Sequence, residues 1–198
     1  MRTLSASHKP QQGFTLLEVL VSLVILVFGL LGLIGMQAYT QVATFESYQR
    51  GQAIILVQDM ADRIATNRAS ALCYAITTNT TTYVGVSGTV TPNCTAAVGT
   101  AATRALATAD LVAWDNALKG ASETQGGSQV GAVLGARGCV TFDATTNSYR
   151  VAVAWQGMAP TVSPTAGDAN ATCAQGASYG GDTQRREVST IVRIAVLI

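Results

Sequence analysis

Residues 13–20 read Gly13, Phe14, Thr15, Leu16, Leu17, Glu18, Val19, Leu20, an apolar run that starts abruptly and carries a single carboxylate. Almost every residue from Phe14 to Met36 is apolar, and the uncharged stretch from Val19 to Met36 meets the roughly 18-residue threshold for a transmembrane helix. A charged side chain at the centre of such a helix is unfavourable by roughly 2.5 to 3.5 kcal/mol, and by less near the interface. Glu18 therefore needs a cationic or hydrogen-bond-donating partner. If the chain were cut after Gly13, the new amino terminus at Phe14 would lie about one helical turn from Glu18, so that neighbouring chains could pair amine to carboxylate when their helices stack.

Upstream, residues 1–13 are polar, with Arg2, His8 and Lys9 as cations and no hydrophobic periodicity, and they read as a leader. Arg2 and Lys9 hold the N-terminus on the cytoplasmic side. An ordinary secretory signal or a plain signal anchor also starts basic and turns apolar. The run here is longer than the roughly 7–15 residues of a secretory core, and either reading leaves Glu18 unexplained. Gly29, Gly32 and Gly35 each cost about 1 kcal/mol against Ala in an aqueous helix. They either let membrane helices pack closely, the commoner use, or mark a point of local melting during assembly.

Downstream, Ala38, Val42, Phe45, Ala53, Val57, Met60, Ala61 and Ile64 recur mostly at spacings of three, four or seven, which predicts that an amphipathic helix continues to about Asn67. Asp59 and Arg63 stand four apart with the acid first, supporting helix on an exposed face, and no proline intervenes before Pro92. Unbroken, the helix would be on the order of 80 Å long. From Cys73 to Thr103 the chain turns rich in Thr, Ala, Gly and Asn, including the run Thr77 to Thr82, and reads as a surface loop with short strands at most. A short helix is predicted from Leu111 to Lys119, with Asp110 as N-cap, Leu111, Trp114 and Leu118 on one face, and Gly120 as terminator. Strands are predicted at Gly138–Phe142, Tyr149–Trp155 and Val188–Val196, with a hairpin turn at Asp143–Asn147 and a long loop from Pro160 to Gly181.

The leader and its helix, taken together over residues 9–36, resemble the type IV pilin and pseudopilin family, whose leader is cleaved after a glycine by a dedicated prepilin peptidase. The resemblance implies that Gly13 and Phe14 flank the cleavage site, that Phe14 becomes N-methylated, and that Glu18 serves subunit recognition and assembly. It implies an α+β type IV pilin fold, in which a long N-terminal helix packs its outer half on a small antiparallel sheet. The domains are then a leader at 1–13, a transmembrane and filament-core helix at 14–36, a periplasmic amphipathic half at 37–70, and a disulfide-braced head at 71–198. A closer likeness, to the PilV-type minor pilins or type IV pilus modification proteins, is carried by DMADRIATNR at 59–68, GCVTFD at 138–143, YRVAVAWQG at 149–157 and RREVSTIVRIAV at 185–196. It implies a minor subunit that primes pilus assembly without catalysis. Its expected partners are other minor and major pilins, the prepilin peptidase, the inner-membrane assembly platform and a tip adhesin. Localisation is expected in the bacterial inner membrane with the head periplasmic, then in the pilus. The alternatives are a minor pseudopilin of a type II secretion system and a membrane-anchored periplasmic binding or adhesive module.

The four cysteines, Cys73, Cys94, Cys139 and Cys173, form no CxxC pair and point to disulfides in an oxidising compartment. Three pairings are possible, and proximity along the chain favours Cys73 with Cys94 and Cys139 with Cys173. No metal and no cofactor are expected. With a formal charge of +1 and scattered arginines, apart from the pair Arg185 and Arg186, nucleic acid is not an expected partner. An enzyme is not expected either. The sole histidine, His8, lies in the leader, and Asp110, Asp115, Asp143 and Asp168 look like caps and turns. Trp114 and Trp155 could stack on a ligand, but each falls on an apolar face and reads as core.

Overall fold

A computed structural model describes residues 13–121, 124–129 and 133–195. The leader expected at 1–13, with Arg2, His8 and Lys9, lies outside the described residues except for Gly13, as does Val196 in the last expected strand. The chain divides into two units, the first ending at Thr44 and the second starting at Phe45.

Helix α1 runs from Leu16 to Thr66 and contributes to both units. In the first unit the residues from Phe14 to Met36 expose their apolar side chains. Polar side chains that interrupt this surface bond back to the helix: Ser22 Oγ donates to the Glu18 carbonyl at 2.8 Å, and Thr40 Oγ1 to that of Met36 at 2.9 Å. In the second unit α1 buries Gln49, Ala53, Val57, Met60 and Ile64, one stripe at helical spacing.

A 3-10 turn, Arg68–Tyr74, follows, then strand β1 (Val84–Gly85) and helix α2 (Ala101–Leu118). Here the structure corrects the sequence reading. Helix α2 starts ten residues before the expected Leu111, because Thr100 and Thr103 form a capping box and the Ala-rich stretch behind them is strongly helix-forming. Asp110 is therefore no N-cap but lies inside the helix, where it accepts from Arg63 Nη1 at 2.9 Å and from the Tyr74 hydroxyl at 2.5 Å. Asp115 is likewise no cap: its Oδ1 accepts the Gly85 N–H at 2.8 Å and its Oδ2 pairs with Lys119 Nζ at 2.6 Å. Gly120, at φ 82, takes the left-handed conformation that ends α2.

A small hairpin, β2 (Thr124–Gln125) and β3 (Ser128–Gln129), precedes β4 (Arg137–Asp143), β5 (Ser148–Gln156), the short helix α3 (Pro164–Gly167) and β6 (Arg185–Arg193). The main sheet is antiparallel throughout, in the order β1-β4-β5-β6, with Cys139 opposite Ala152 and Ala152 opposite Ser189. The β4–β5 turn is set by Asp143, whose Oδ1 accepts the Thr145 N–H at 2.8 Å. Strand β6 begins three residues before the expected Val188, at the arginine pair.

Because side chains alternate across a strand, β5 serves two cores. Tyr149, Val151, Val153 and Trp155 join α1 and α2 in the main core, while Ala152 and Ala154 meet Cys139, Cys173, Ala174 and Tyr179 on the other face. Trp114 is fully buried and donates its indole N–H to the Leu56 carbonyl at 2.9 Å, joining α2 to α1. Its ring lies over Gly138, where a Cβ would collide with it. Trp155 is buried as well, so neither tryptophan offers a ring face to solvent.

Candidate functional site

The first turn of α1 is built by Thr15. Its Oγ1 and its carbonyl both accept the Glu18 N–H, at 3.3 and 3.1 Å, which makes Thr15 the cap and Glu18 the third helical residue. Thr-x-x-Glu is the sequence form of a capping box, and a carboxylate in the first turn is favoured by the partial positive charge of the helix N-terminus. Glu18 thus has a local reason for its position besides any partner from another chain. The pattern Thr15, Leu16, Leu17, Glu18 carried this signal in the sequence. Gly13 and Phe14 lie just outside the helix, with Phe14 84% exposed. The structure therefore brings Gly13, Phe14 and Glu18 to one end of one apolar helix. Gly29, Gly32 and Gly35 are helical with open space where a side chain would stand, and α1 is continuous through them. By length and composition α1 suffices to cross a membrane.

In the second unit the four cysteines form two disulfides, Cys73 with Cys94 and Cys139 with Cys173. The first ties the 3-10 turn to the long connection before α2, and the second ties β4 to the β5–β6 connection. Around the second bridge lies a charge cluster that no sequence pattern announced. Arg185, fully buried, donates to Asp182 at 2.6 Å, to Glu187 at 2.5 Å and to the carbonyls of Ala171 and Cys173. Glu187 also accepts the Cys173 N–H at 3.1 Å. Burial pushes the Glu187 carboxyl up to about 7, with Arg185 pulling it back down. A buried charge pair of this kind adds little net stability, but removing one partner strands the other.

Other ties hold the unit together. Arg63, read from sequence as an exposed helix partner of Asp59, pairs with Asp59 at 3.0 Å and also reaches Asp110. Burial, together with the hydrogen bond to Asp110, raises the Tyr74 hydroxyl above its ordinary pKa. Glu46 accepts the Met158 N–H at 2.9 Å and pairs with Arg186 at 3.4 Å, fastening α1 to the start of the β5–β6 connection. Arg137 is stacked on Tyr179 and Tyr83, with its guanidinium carbon 4.5 and 5.4 Å from the ring centres. Among the described residues no group of three or more His, Cys, Asp or Glu side chains is arranged to hold a metal ion.

Comparison with known families agrees with this architecture. The family described as the prokaryotic N-terminal methylation motif matches residues 8–34, and that described as type IV pilin Tt1218 matches residues 35–112. Neither match reaches the strands β4 to β6. No curated protein and no solved structure matches the chain significantly. The chain carries an N-terminal methylation motif joined to a type IV pilin domain, and its long apolar helix followed by a small antiparallel sheet is consistent with the type IV pilin fold.

Proposed function

We propose that this protein is a minor pilin of the PilV type, cleaved after Gly13, methylated on Phe14 and held in the inner membrane by residues 14–36 until it enters a type IV pilus. The observation that carries this reading is the arrangement at the start of α1: one carboxylate, Glu18, in the first turn of a helix whose apolar side chains from Phe14 to Met36 are exposed. A surface this apolar requires lipid or other helices around it. In lipid, Glu18 is tolerated near the interface beside the helix N-terminus. In a helical bundle it is available to the Phe14 amine of the next subunit.

The head, residues 71–198, lies in the second unit together with the outer part of α1, and its disulfides fit a periplasmic and then extracellular location. Its work is non-catalytic: contacts with other minor and major pilins and with a tip adhesin prime the filament, after processing by the prepilin peptidase and engagement by the inner-membrane platform. A minor pseudopilin of a type II secretion system would share the same helix chemistry, so loss of surface pili against loss of secretion in a deletion strain separates the two.

The first test is mass spectrometry of the mature N-terminus from cells with and without active prepilin peptidase. A methylated Phe14 start that depends on the peptidase is expected. An N-terminus at Met1, or beyond Met36, overturns the proposal. Glu18→Ala is expected to abolish incorporation into filaments while leaving the head folded. Function surviving that substitution would mean a membrane-anchored binding or adhesive module instead.

A further inference from the structure

The connection between β5 and β6 contains the run Asp168, Ala169, Asn170, Ala171, Thr172, Cys173. Asp168 organises a tight turn there. Its Oδ1 accepts the Asn170 N–H at 2.9 Å and its carbonyl accepts the Ala171 N–H at 2.8 Å, while its Oδ2 pairs with Arg150 at 2.8 Å. Asn170 is exposed at this turn, and among the described residues no hydrogen bond holds its side-chain amide. The chain then turns inward. Ala171 and Cys173 are buried, Thr172 is half-buried, and Arg185 Nη2 donates to the Ala171 carbonyl at 2.9 Å.

Asn-x-Thr with a non-proline middle residue is an N-glycan acceptor when it lies on a surface loop of an exported protein. Two other such triplets occur, Asn79-Thr80-Thr81 and Asn93-Cys94-Thr95. They differ from the third in two respects. The residues two positions before them are Thr77 and Thr91, whereas Asn170 has the acid Asp168 there. The Asn79 side chain is also fixed in its own turn through Oδ1, which accepts from both the N–H and the hydroxyl of Thr81, at 2.9 and 2.8 Å, while its Nδ2 makes no bond among the described residues, and Cys94 is tied into a disulfide.

We propose that Asn170 is an N-glycan acceptor, modified by an acid-requiring oligosaccharyltransferase on the periplasmic face of the membrane. This rests on the head being exported, as proposed above. In the transfer, Asn170 Nδ2 attacks C1 of an oligosaccharide carried on a polyprenyl diphosphate. The Nδ2–C1 bond forms, the bond from C1 to the diphosphate oxygen breaks, and the polyprenyl diphosphate leaves. The proton lost from Nδ2 passes to solvent. The membrane supplies both the donor and the enzyme.

The folded loop receives the product well. Asn170 borders an open groove of about 490 Å³, also lined by Thr146, Ser148, Arg193, Phe142 and Ile191. Hydroxyl and guanidinium groups there match sugar hydroxyls, and the two apolar side chains match the C–H faces of sugar rings.

The test uses the full chain, expressed in bacterial cells that carry an acid-requiring oligosaccharyltransferase and its lipid-linked oligosaccharide. After reduction and trypsin digestion, peptide 151–185 contains Asn170 and neither of the other two triplets. A mass gain of one glycan on that peptide is expected, with the peptide 69–104 that holds Asn79 and Asn93 unmodified. The gain is lost in Asn170→Gln and Asp168→Ala and kept in Asp168→Glu. Cysteine alkylation before reduction reports export independently. An unmodified wild-type peptide from protein with oxidised cysteines overturns the acceptor site and leaves the export reading standing. Reduced cysteines overturn export and the acceptor site together. A gain that survives Asp168→Ala, or appears on 69–104, also overturns the proposal.

Discussion

Gly138→Ala puts the packing of the head to a quantitative test. A Cβ at this position would stand 2.5 Å from Trp114 Cζ3 and 2.6 Å from Leu118 Cδ1, with Trp114 Cη2 closer still, against an ordinary contact of 3.4–4 Å. The indole must retreat by about 1 Å, from a fully buried site where its N–H is bonded to the Leu56 carbonyl. Overpacking of this kind costs about 1–3 kcal/mol. Losing the indole hydrogen bond adds about 1 kcal/mol. The expected loss is therefore about 2–4 kcal/mol, or roughly 5–15 °C in melting temperature for a unit of this size. Both tryptophans lie in the second unit, so urea titration of the detergent-solubilised chain, followed by their fluorescence, reads this unit alone. Trp114→Phe removes the outer ring atoms, so the double variant Gly138→Ala, Trp114→Phe should lose less than the sum of the single variants. A Gly138→Ala variant within about 0.5 kcal/mol of wild type would refute the packing argument.

Three further outcomes are expected. Replacing Cys139 and Cys173 by Ala opens a loop of sequence separation 34 and lowers stability by about 4 kcal/mol, against about 3 kcal/mol for Cys73 and Cys94 at separation 21, measured by the same titration. Asp110→Ala leaves the buried Tyr74 hydroxyl and Arg63 without their shared acceptor and costs about 1–3 kcal/mol, while Asp110→Asn lowers the Tyr74 pKa read by ultraviolet difference titration. The Glu187 carboxyl, raised by burial from 4.5 to about 7, contributes stability below its unfolded pKa and loses it as pH rises toward 7. Relative to Glu187→Gln, the wild-type head should lose on the order of 3 kcal/mol across that window, and an unchanged difference between the two proteins would refute the assignment.

Much of the fold was readable because its signals are local. The apolar run after Gly13 and the spacing of Ala53, Val57, Met60 and Ile64 predict α1 to within two residues at its start, and the Tyr149–Trp155 run predicts β5. What stayed hidden depends on residues far apart in sequence. Arg63 looked like half of an exposed helical pair, yet it also meets Asp110, 47 positions on. The start of α2 stays hidden because its first three residues close the Thr-, Ala- and Gly-rich stretch that reads as loop to Thr103, although Thr100 and Thr103 cap the helix. Arg185 stands out in the sequence only as half of the Arg185–Arg186 pair, since nothing local shows that Asp182, Glu187 and two carbonyls enclose it. The alternating small residues Ala152 and Ala154 were the one hint that the outer face of β5 is also covered. At the candidate site, the apolar run made Glu18 conspicuous, whereas its tie to Thr15 needed the geometry of the first turn.

Because Thr15 closes α1, the bond between Gly13 and Phe14 lies in chain that has already left the helix. A hydrolase acting at the proposed position would find its substrate strand unwound and would remove nothing from the hydrogen-bond ladder of α1. Processing would then change the charge at the start of α1 without changing the helix itself. If the proposed cleavage occurs, a cation would appear at Phe14 one turn from Glu18 while the helix keeps its length and its cap, so that, the leader aside, cleaved and uncleaved chains would differ at this end by charge and not by fold.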